Sequence, residues 1–285
     1  MQRNTSNLSL LVIVGIIFLD GLVWYQIFRG WPTELKLHFL DVGQGDSALM
    51  QLGDVKILTD AGPNSKVIKS LEKLEGVRKY VDLAIISHPQ LDHFNGFNYL
   101  LDRYSFGAFI LNGRESQAPE WKELMKKISD NKIPVIRLGA GDSIKYLDNK
   151  LAILSPGRDL LQSGELNDTS LVVRFETPKL KVIMTGDIGA SAEKFLLRNY
   201  PTTSLVADIL KVPHHGSKYS LGKDFLGAVQ PKVAVIEVGQ NRYGHPGVET
   251  LKRLGNLGVK VFRTDLDGNV SSLQDGDRVK FFKDL

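Results

Sequence analysis

The chain contains no cysteine. Disulfides and thiolate metal sites are therefore excluded, and any metal has to rest on His, Asp, Glu, amide or backbone ligands. Neither sign of charge dominates: 36 Lys and Arg against 32 Asp and Glu leave a net charge of +4. That mild basic balance permits an anionic substrate or membrane surface without requiring one. No low-complexity linker and no obvious internal repeat interrupts residues 33–285. Histidine is scarce, six in 285 residues, so the positions of those six are informative. What remains is an ordinary globular composition, 42% hydrophobic and 24% charged, long enough to bury a substantial core.

Leu8–Phe28 is apolar apart from Ser9, Asp20 and Gln26, and about 20 such residues can span a bilayer as a helix. Trp24, Tyr25 and Trp31 sit at its far end, where interfacial aromatics belong. Asp20 lies close enough to that end to reach the interface. The alternative is a cleaved signal peptide, but bulky Trp24-Tyr25-Gln26 stands where a small-x-small site would follow. We therefore expect a single-pass anchor over 1–32 and one domain over 33–285. Arg3 precedes the span, while Arg29 and Lys36 follow it. Charge fixes orientation weakly, and the expectation is an extracytoplasmic domain.

Leu35–Leu40, Ala48–Leu52 and Val55–Thr59 read as an antiparallel meander joined by Gly/Asp turns. Val81–Ser87 is a continuous apolar run ending in polar residues, the pattern of a buried strand. Helices are expected at Ser65–Leu74, Phe94–Asp102 and Glu120–Asp130, with strands at Ala108–Leu111 and Pro134–Leu138. Strands follow at Leu151–Leu154, Ser170–Glu176 and Lys181–Thr185, then a helix at Ala190–Asn199. Strand and helix then alternate from Asp208 to Arg263, and strands at Asn269–Gln274 and Asp277–Phe282 close the chain. Interleaving of this kind predicts sheets covered by helices, an α/β domain.

Four of the six histidines follow predicted strand ends, where α/β folds place their sites. In Ser87-His88-Pro89-Gln90-Leu91-Asp92-His93, four side chains can converge from one strand-anchored loop: His88, Gln90, Asp92 and His93. Imidazole with carboxylate suits Zn²⁺ or Mn²⁺; the alternative is a loop of hydrogen-bonded histidines. Thr185-Gly186-Asp187 ends another apolar strand. Its Asp can ligate a metal or, alternatively, cap the helix at Ala190. Pro213-His214-His215-Gly216-Ser217-Lys218 follows a third strand, and adjacent histidines point to different sides. Asp60 ends the strand Val55–Thr59.

In order and context these segments resemble the metallo-β-lactamase superfamily: an early strand-end Asp, a His-x-His-x-Asp-His loop, a later Gly-Asp, and a final His after a strand. More narrowly, Phe39-Leu40-Asp41-Val42-Gly43-Gln44-Gly45-Asp46-Ser47 resembles the opening motif of the ComEC-type DNA-internalisation competence proteins. So do Lys211–Ser217, Asn241–Pro246 and Thr264-Asp265-x-Asp267-Gly268. The resemblance runs from about Leu35 to about Asp277. It implies a four-layered αββα sandwich with one or two Zn²⁺ or Mn²⁺ ions at the strand ends. It makes His88, Asp92, His93 and Asp187 metal-site residues, completed by His214 or His215, with His214 nearer the strand. Asp60 would orient a ligand. Gln90 departs from the pattern by standing where the second His of the loop belongs. A neutral amide should hold a metal less well, so a single ion, Mn²⁺ in preference to Zn²⁺, or loss of catalysis would follow. ComEC-type proteins also carry this domain beside a multi-span channel. With one span here, any channel would be a separate partner.

The reaction implied is attack by a metal-activated water, with Asp92, Asp187 and His215 at the reacting centre and His245 as a proton donor or a structural residue. A phosphodiester, specifically single-stranded DNA, suits the cations Lys211, Lys218, Lys223 and Arg242 and the hydroxyl of Ser217. Tyr219 and Tyr243 could stack bases. Asp46 and Asn167 would line the cleft; turn chemistry is their alternative. The rival substrates are a small ester, lactone or β-lactam, and the rival class is a non-catalytic scaffold at the membrane. His38, alternating within a strand, is expected to be structural.

Overall fold

The computed structural model of the protein describes residues 4–29, 35–74, 79–162, 165–275 and 278–284. Arg3, Trp31 and Asp277 lie outside them. The chain divides into two units, Met1–Glu34 and Leu35–Leu285. The first holds helix α1 (Asn4–Arg29), whose side chains from Leu10 to Tyr25 are exposed. The side chains of α1 are described only from Leu10 to Tyr25, and among the described residues no helix is long and apolar enough to cross a membrane.

The second unit is built on two sheets. Six strands open the first: β1 (Leu35–Phe39), β2 (Ala48–Leu52), β3 (Val55–Thr59), β4 (Tyr80–Ile85), β5 (Ser105–Leu111) and β6 (Val135–Arg137). The next seven form the second: β7 (Ser143–Tyr146), β8 (Asn149–Ser155), β9 (Val172–Glu176), β10 (Lys181–Met184), β11 (Ile209–Lys211), β12 (Val233–Ile236) and β13 (Lys260–Arg263). The chain then returns to the first sheet with β14 (Val270–Asp275) and β15 (Arg278–Lys283), giving the orders β15-β14-β1-β2-β3-β4-β5-β6 and β13-β12-β11-β10-β9-β8-β7. Each sheet has an antiparallel part that passes into parallel strands: β3 to β6 in one, β10 to β13 in the other.

Three apolar layers hold this together. Leu37, Phe39, Ile85 and Ile110 of one sheet meet Ile153, Phe175, Val182 and Val235 of the other. The outer face of the first sheet (Leu58, Ala84, Phe109) packs on α2 (Lys66–Glu72), α3 (Leu91–Phe94), α4 (Gly96–Leu100) and α5 (Pro119–Asp130). The outer face of the second (Val172, Ile183, Leu210, Ala234) packs on α6 (Arg158–Leu161), α7 (Ala190–Asn199), α8 (Thr202–Leu205), α9 (Lys223–Val229) and α10 (Val248–Asn256). The expected αββα layering is therefore observed. Helix α5 shows the local logic: Pro119 pre-sets the first turn, and Trp121, Leu124 and Ile128 are buried at helical spacing.

Several elements differ from expectation, among them the short helices α6 and α8, which no periodicity announces. The helix expected over Phe94–Asp102 is two short helices, α3 and α4, and an unexpected strand, β7, forms an edge hairpin with β8. His38 Nδ1 lies 2.7 Å from Ser271 Oγ across the β1–β14 pair, a structural role as expected.

Glu193 on α7 is buried, and its carboxylate accepts the backbone N–H groups of Leu221 and Gly222. Burial pushes its pKa from 4.5 up to about 7, although those two hydrogen bonds act to lower it. Below 4.5 the group is protonated in folded and unfolded chains alike. As pH rises towards 7 the unfolded chain releases a proton that the folded chain retains, so stability should fall by about 3 kcal/mol across that window. Glu193→Gln should flatten that slope, as measured by urea melts between pH 4.5 and 7.5.

Candidate metal centre

Parallel strands bring their C-terminal ends to one edge of each sheet, and the loops leaving those ends carry the polar residues. Asp60 follows β3, and Ser87 and His88 follow β4. Asp187 follows β10, His214 and His215 follow β11, and Glu237 follows β12. Helix α3 supplies Asp92 and His93. Asp60, His214 and His215 have positive φ (57°, 51° and 52°). Such conformations cost about 1–3 kcal/mol in residues with side chains and gather where a site requires them.

Four ligand atoms converge, from Asp92, His93, Asp187 and His215, all within 4.8 Å of one another. His93 Nε2 is 3.3 Å from Asp187 Oδ2 and 3.9 Å from Asp92 Oδ1. His215 Nε2 is 3.2 Å from Asp187 Oδ2 and 3.3 Å from Asp92 Oδ2. A tetrahedral ion with bonds of about 2.1 Å separates its ligand atoms by about 3.4 Å.

The far sides of both imidazoles show what they require. His93 Nδ1 is 2.9 Å from Asp60 Oδ2, and Asp60 is itself fixed by the N–H and hydroxyl of Ser87 at 2.8 and 2.7 Å. His215 Nδ1 is 2.8 Å from the carbonyl oxygen of Glu237, which only accepts, so Nδ1 carries the proton. In neutral rings both Nε2 atoms are then lone pairs facing two carboxylates. Four acceptors in a buried pocket demand a cation, and a divalent metal fits that donor set. Protonation expresses the same demand. Burial alone would depress the imidazole pKa of His93 and His215, yet Asp187, with Asp92 beside His93 and Asp46 beside His215, drives both well above the ordinary range. Burial likewise opposes ionisation of Asp92 and Asp187, but the two histidines keep both below the usual carboxylate range. Asp60 stands behind His93 as a positioning acid.

The alternative role for Asp187, capping α7, is filled by another residue. Asp168 Oδ1 accepts the N–H groups of Gly189 and Ala192 at 2.9 and 3.3 Å, leaving Asp187 free to face the histidines. Gly186 makes that approach possible. Its φ is +54°, and a Cβ there would lie 2.9 Å from Ser170 Cβ and 3.1 Å from Ser87 Cβ. Gly186→Ala should cost at least about 1–3 kcal/mol and displace Asp187. Thermal melts together with Mn²⁺ titration would check this, and a variant equal to the wild type in both would refute the packing argument.

The remaining candidates distribute unevenly. His88 is fully buried, its pKa depressed to about 3 by burial and by neighbouring His93, and its Nε2 has no hydrogen-bond partner. It stacks beside His93, ring centroids 4.2 Å apart, just outside the tight cluster. Gln90 donates from Nε2 to Asn167 Oδ1 at 2.5 Å, and Asn167 Nδ2 lies 3.4 Å from both ring nitrogens of His214. A cleft of about 400 Å³ opens over the cluster, lined by Gln44, Gln90, Asp92, His214, Tyr243 and His245 among others. The His245 ring sits 5.5 Å from His214, and Tyr243 stacks on it at 5.8 Å.

Several placements correct the expectations from sequence. His215, not His214, completes the ligand cluster. The left-handed backbone at both positions turns the second imidazole inward, leaving His214 half-buried, with its Nε2 3.9 Å from Asp187. Asp46 does not line the cleft. It is buried, ion-paired to Lys211, with Oδ1 3.2 Å from His215 Nδ1. Lys211 is likewise buried rather than facing a substrate. Ser217 is buried too, its hydroxyl accepting the N–H of Tyr219. Lys218 and Arg242 are exposed residues outside the cleft wall. Glu237 is an unexpected member of the site: it is fully buried, accepts the Ser47 N–H at 2.8 Å, and burial beside Asp46 raises its pKa well above the usual range. A charged residue ending the apolar run Val233–Ile236 is the signal that points to it.

With this fold and strand-end site, the chain belongs to the metallo-β-lactamase superfamily, whose family model matches residues 40–239. Within it, the chain is similar to competence proteins. It is 28% identical to ComE operon protein 3 of Bacillus subtilis over 95% of this chain and 37% of that protein. It is also 28% identical to competence protein ComA of Neisseria gonorrhoeae (89% and 34%) and to recombination protein 2 of Haemophilus influenzae (95% and 32%). The chain thus spans about a third of the length of these relatives. Among solved structures, the metallo-β-lactamase fold protein YhfI of Bacillus subtilis superposes with a TM-score of 0.55 at 13% identity, covering 85% of this chain and all of that one. Igni18, a metallo hydrolase of Ignicoccus hospitalis, superposes with 0.53 at 15% identity, covering 83% and 98%.

Proposed function

We propose that the protein is a membrane-anchored, metal-dependent phosphodiesterase that cleaves single-stranded DNA. The observation that carries the reading is the acceptor-only pocket of Asp92, His93, Asp187 and His215, in a chain similar to competence proteins. These residues would hold a divalent ion, Mn²⁺ or Zn²⁺. When bound, such an ion supplies a Lewis acid and a water that ionises near neutral pH. Asp92, the only one of the four that is not fully buried, would hold the ion from the cleft wall and orient the attacking water there. Burial, then the neighbouring His214 and His215, lower the pKa of His245. A phosphodiester anion beside it would oppose that shift, so that the ring takes up a proton from solvent and can give it to the leaving oxygen. Tyr243, exposed at the mouth, offers a face on which a base can stack.

Full-length protein in detergent, assayed with Mn²⁺ or Zn²⁺, should degrade single-stranded DNA and leave nitrocefin and simple lactones intact. The reverse preference would move the assignment to a small-molecule hydrolase, and no bound metal would leave a scaffold. In the cell, the apolar segment Leu8–Phe28 anchors the chain with its domain outside the cytoplasm, beside a membrane channel. Because the chain has no cysteine, Asp148→Cys provides a single label site on an exposed turn. A membrane-impermeant maleimide should label it in intact cells; labelling only after lysis would reverse the orientation.

A further inference from the structure

Lys211 ends β11 inside the protein, 1% exposed by side chain, with its ammonium among the carboxylates behind the ligand cluster. It pairs with Asp46, donates to the Gly186 carbonyl at 2.8 Å, and lies 3.4 Å from Asp187 Oδ1. The two oxygens of Asp187 are therefore divided. Oδ2 faces His93 and His215, while Oδ1 faces Lys211. Oδ1 is thus engaged by a fixed cation, which leaves Asp187 a single oxygen to offer to any ion. Asp46 is also engaged, between Lys211 and His215.

The opposite side of the cluster is closed by a different device. Gln90 donates its Nε2 to Asn167 Oδ1, so the Asn167 oxygen is engaged and Gln90 keeps only its neutral Oε1. With the unpartnered His88 Nε2 that makes two neutral donors and no further carboxylate, a weak set for a divalent ion.

We infer that Lys211 is a built-in substitute for a second metal ion, so that the centre is mononuclear, holding its one ion between Asp92, His93, Asp187 and His215. The inference rests on the proposed metal-dependent function and specifies its stoichiometry. A fixed ammonium offers positive charge to Asp46 and Asp187 without a second metal having to be acquired. It cannot, however, act as a Lewis acid or carry a water.

Metal content separates the possibilities. Full-length protein saturated with Mn²⁺ and desalted should retain one ion per chain, and Lys211→Arg, which keeps the charge, should also retain one. Lys211→Ala empties the space between Asp46 Oδ2 and Asp187 Oδ1 and should take up a second ion, visible as spin coupling in the Mn²⁺ electron paramagnetic resonance spectrum. Two ions in the wild type would overturn the inference while leaving the metal-dependent function standing. No ion in the wild type would overturn both. Lys211→Ala folded and still holding one uncoupled ion would remove the role given to Lys211. If that variant fails to fold, the ion count of the wild type and of Lys211→Arg still distinguishes a mononuclear centre from a dinuclear one.

Discussion

Asp187→Asn should still fold, lose its metal, and lose hydrolysis by about 10³-fold or more, the several kcal/mol a metal contributes. The geometry explains why such a small change separates folding from function. Asp187 Oδ2 faces two Nε2 lone pairs at 3.2 and 3.3 Å, and Oδ1 faces Lys211. An amide in the same place can turn its NH₂ to the histidines and keep its oxygen towards the lysine. Both Nε2 acceptors then have a donor, and the cation that the carboxylate demanded is no longer needed. In chelator, the variant should still melt cooperatively but below the wild-type temperature, because the carboxylate that His215, His93 and Lys211 hold ionised is gone. Mn²⁺ titration and DNA cleavage would both report the loss. Retention of an ion at wild-type affinity would show that Asp187 is not a ligand. Asp92→Asn should have a smaller effect, since that carboxylate is about a third exposed and solvent can compensate.

Whether a residue's role is legible in the sequence depends on whether that role is local. The strands β4, β10, β11 and β12 are legible because each is an apolar run halted by polar residues, and the strand ends point to Asp60, His88, Asp92, His93 and Asp187. The edge strand β7 is not legible: Ser143, Lys145 and Tyr146 are exposed, so burial imposes no alternation on them. Choosing between His214 and His215 requires the backbone angles, since adjacent side chains diverge either way. The motifs around Asp46 and Lys211 suggest cleft residues. They are instead each other's partners, 165 positions apart, and sequence alone carries no sign of that pairing. Gln90 looks like a weakened ligand in its loop. Its amide nitrogen is committed to Asn167, a partner 77 positions away, which turns an apparent substitution within one loop into a contact between two.

The long-range pair of Asp46 and Lys211 makes the second large prediction, on stability. Asp46→Ala, measured in chelator, should destabilise the protein by about 3–5 kcal/mol, because it strands a buried ammonium rather than merely deleting an attraction. At about 2–4 °C per kcal/mol for a domain of this size, the melting temperature should fall by about 6–20 °C. The remaining neighbours, Asp187 Oδ1 at 3.4 Å and the Gly186 carbonyl, do not replace a direct ion pair. His215 also loses the carboxylate 3.2 Å from its Nδ1, although the Glu237 carbonyl still holds that ring. Asp46→Ala combined with Lys211→Met should recover most of the loss, since an apolar side chain of similar length fills the same space without a charge to satisfy. A double-mutant cycle would then give a coupling of several kcal/mol, well above the few tenths expected of independent sites. If the two losses simply add, Lys211 and Asp46 are not partners, and the internal cation has no anion to which it is bound.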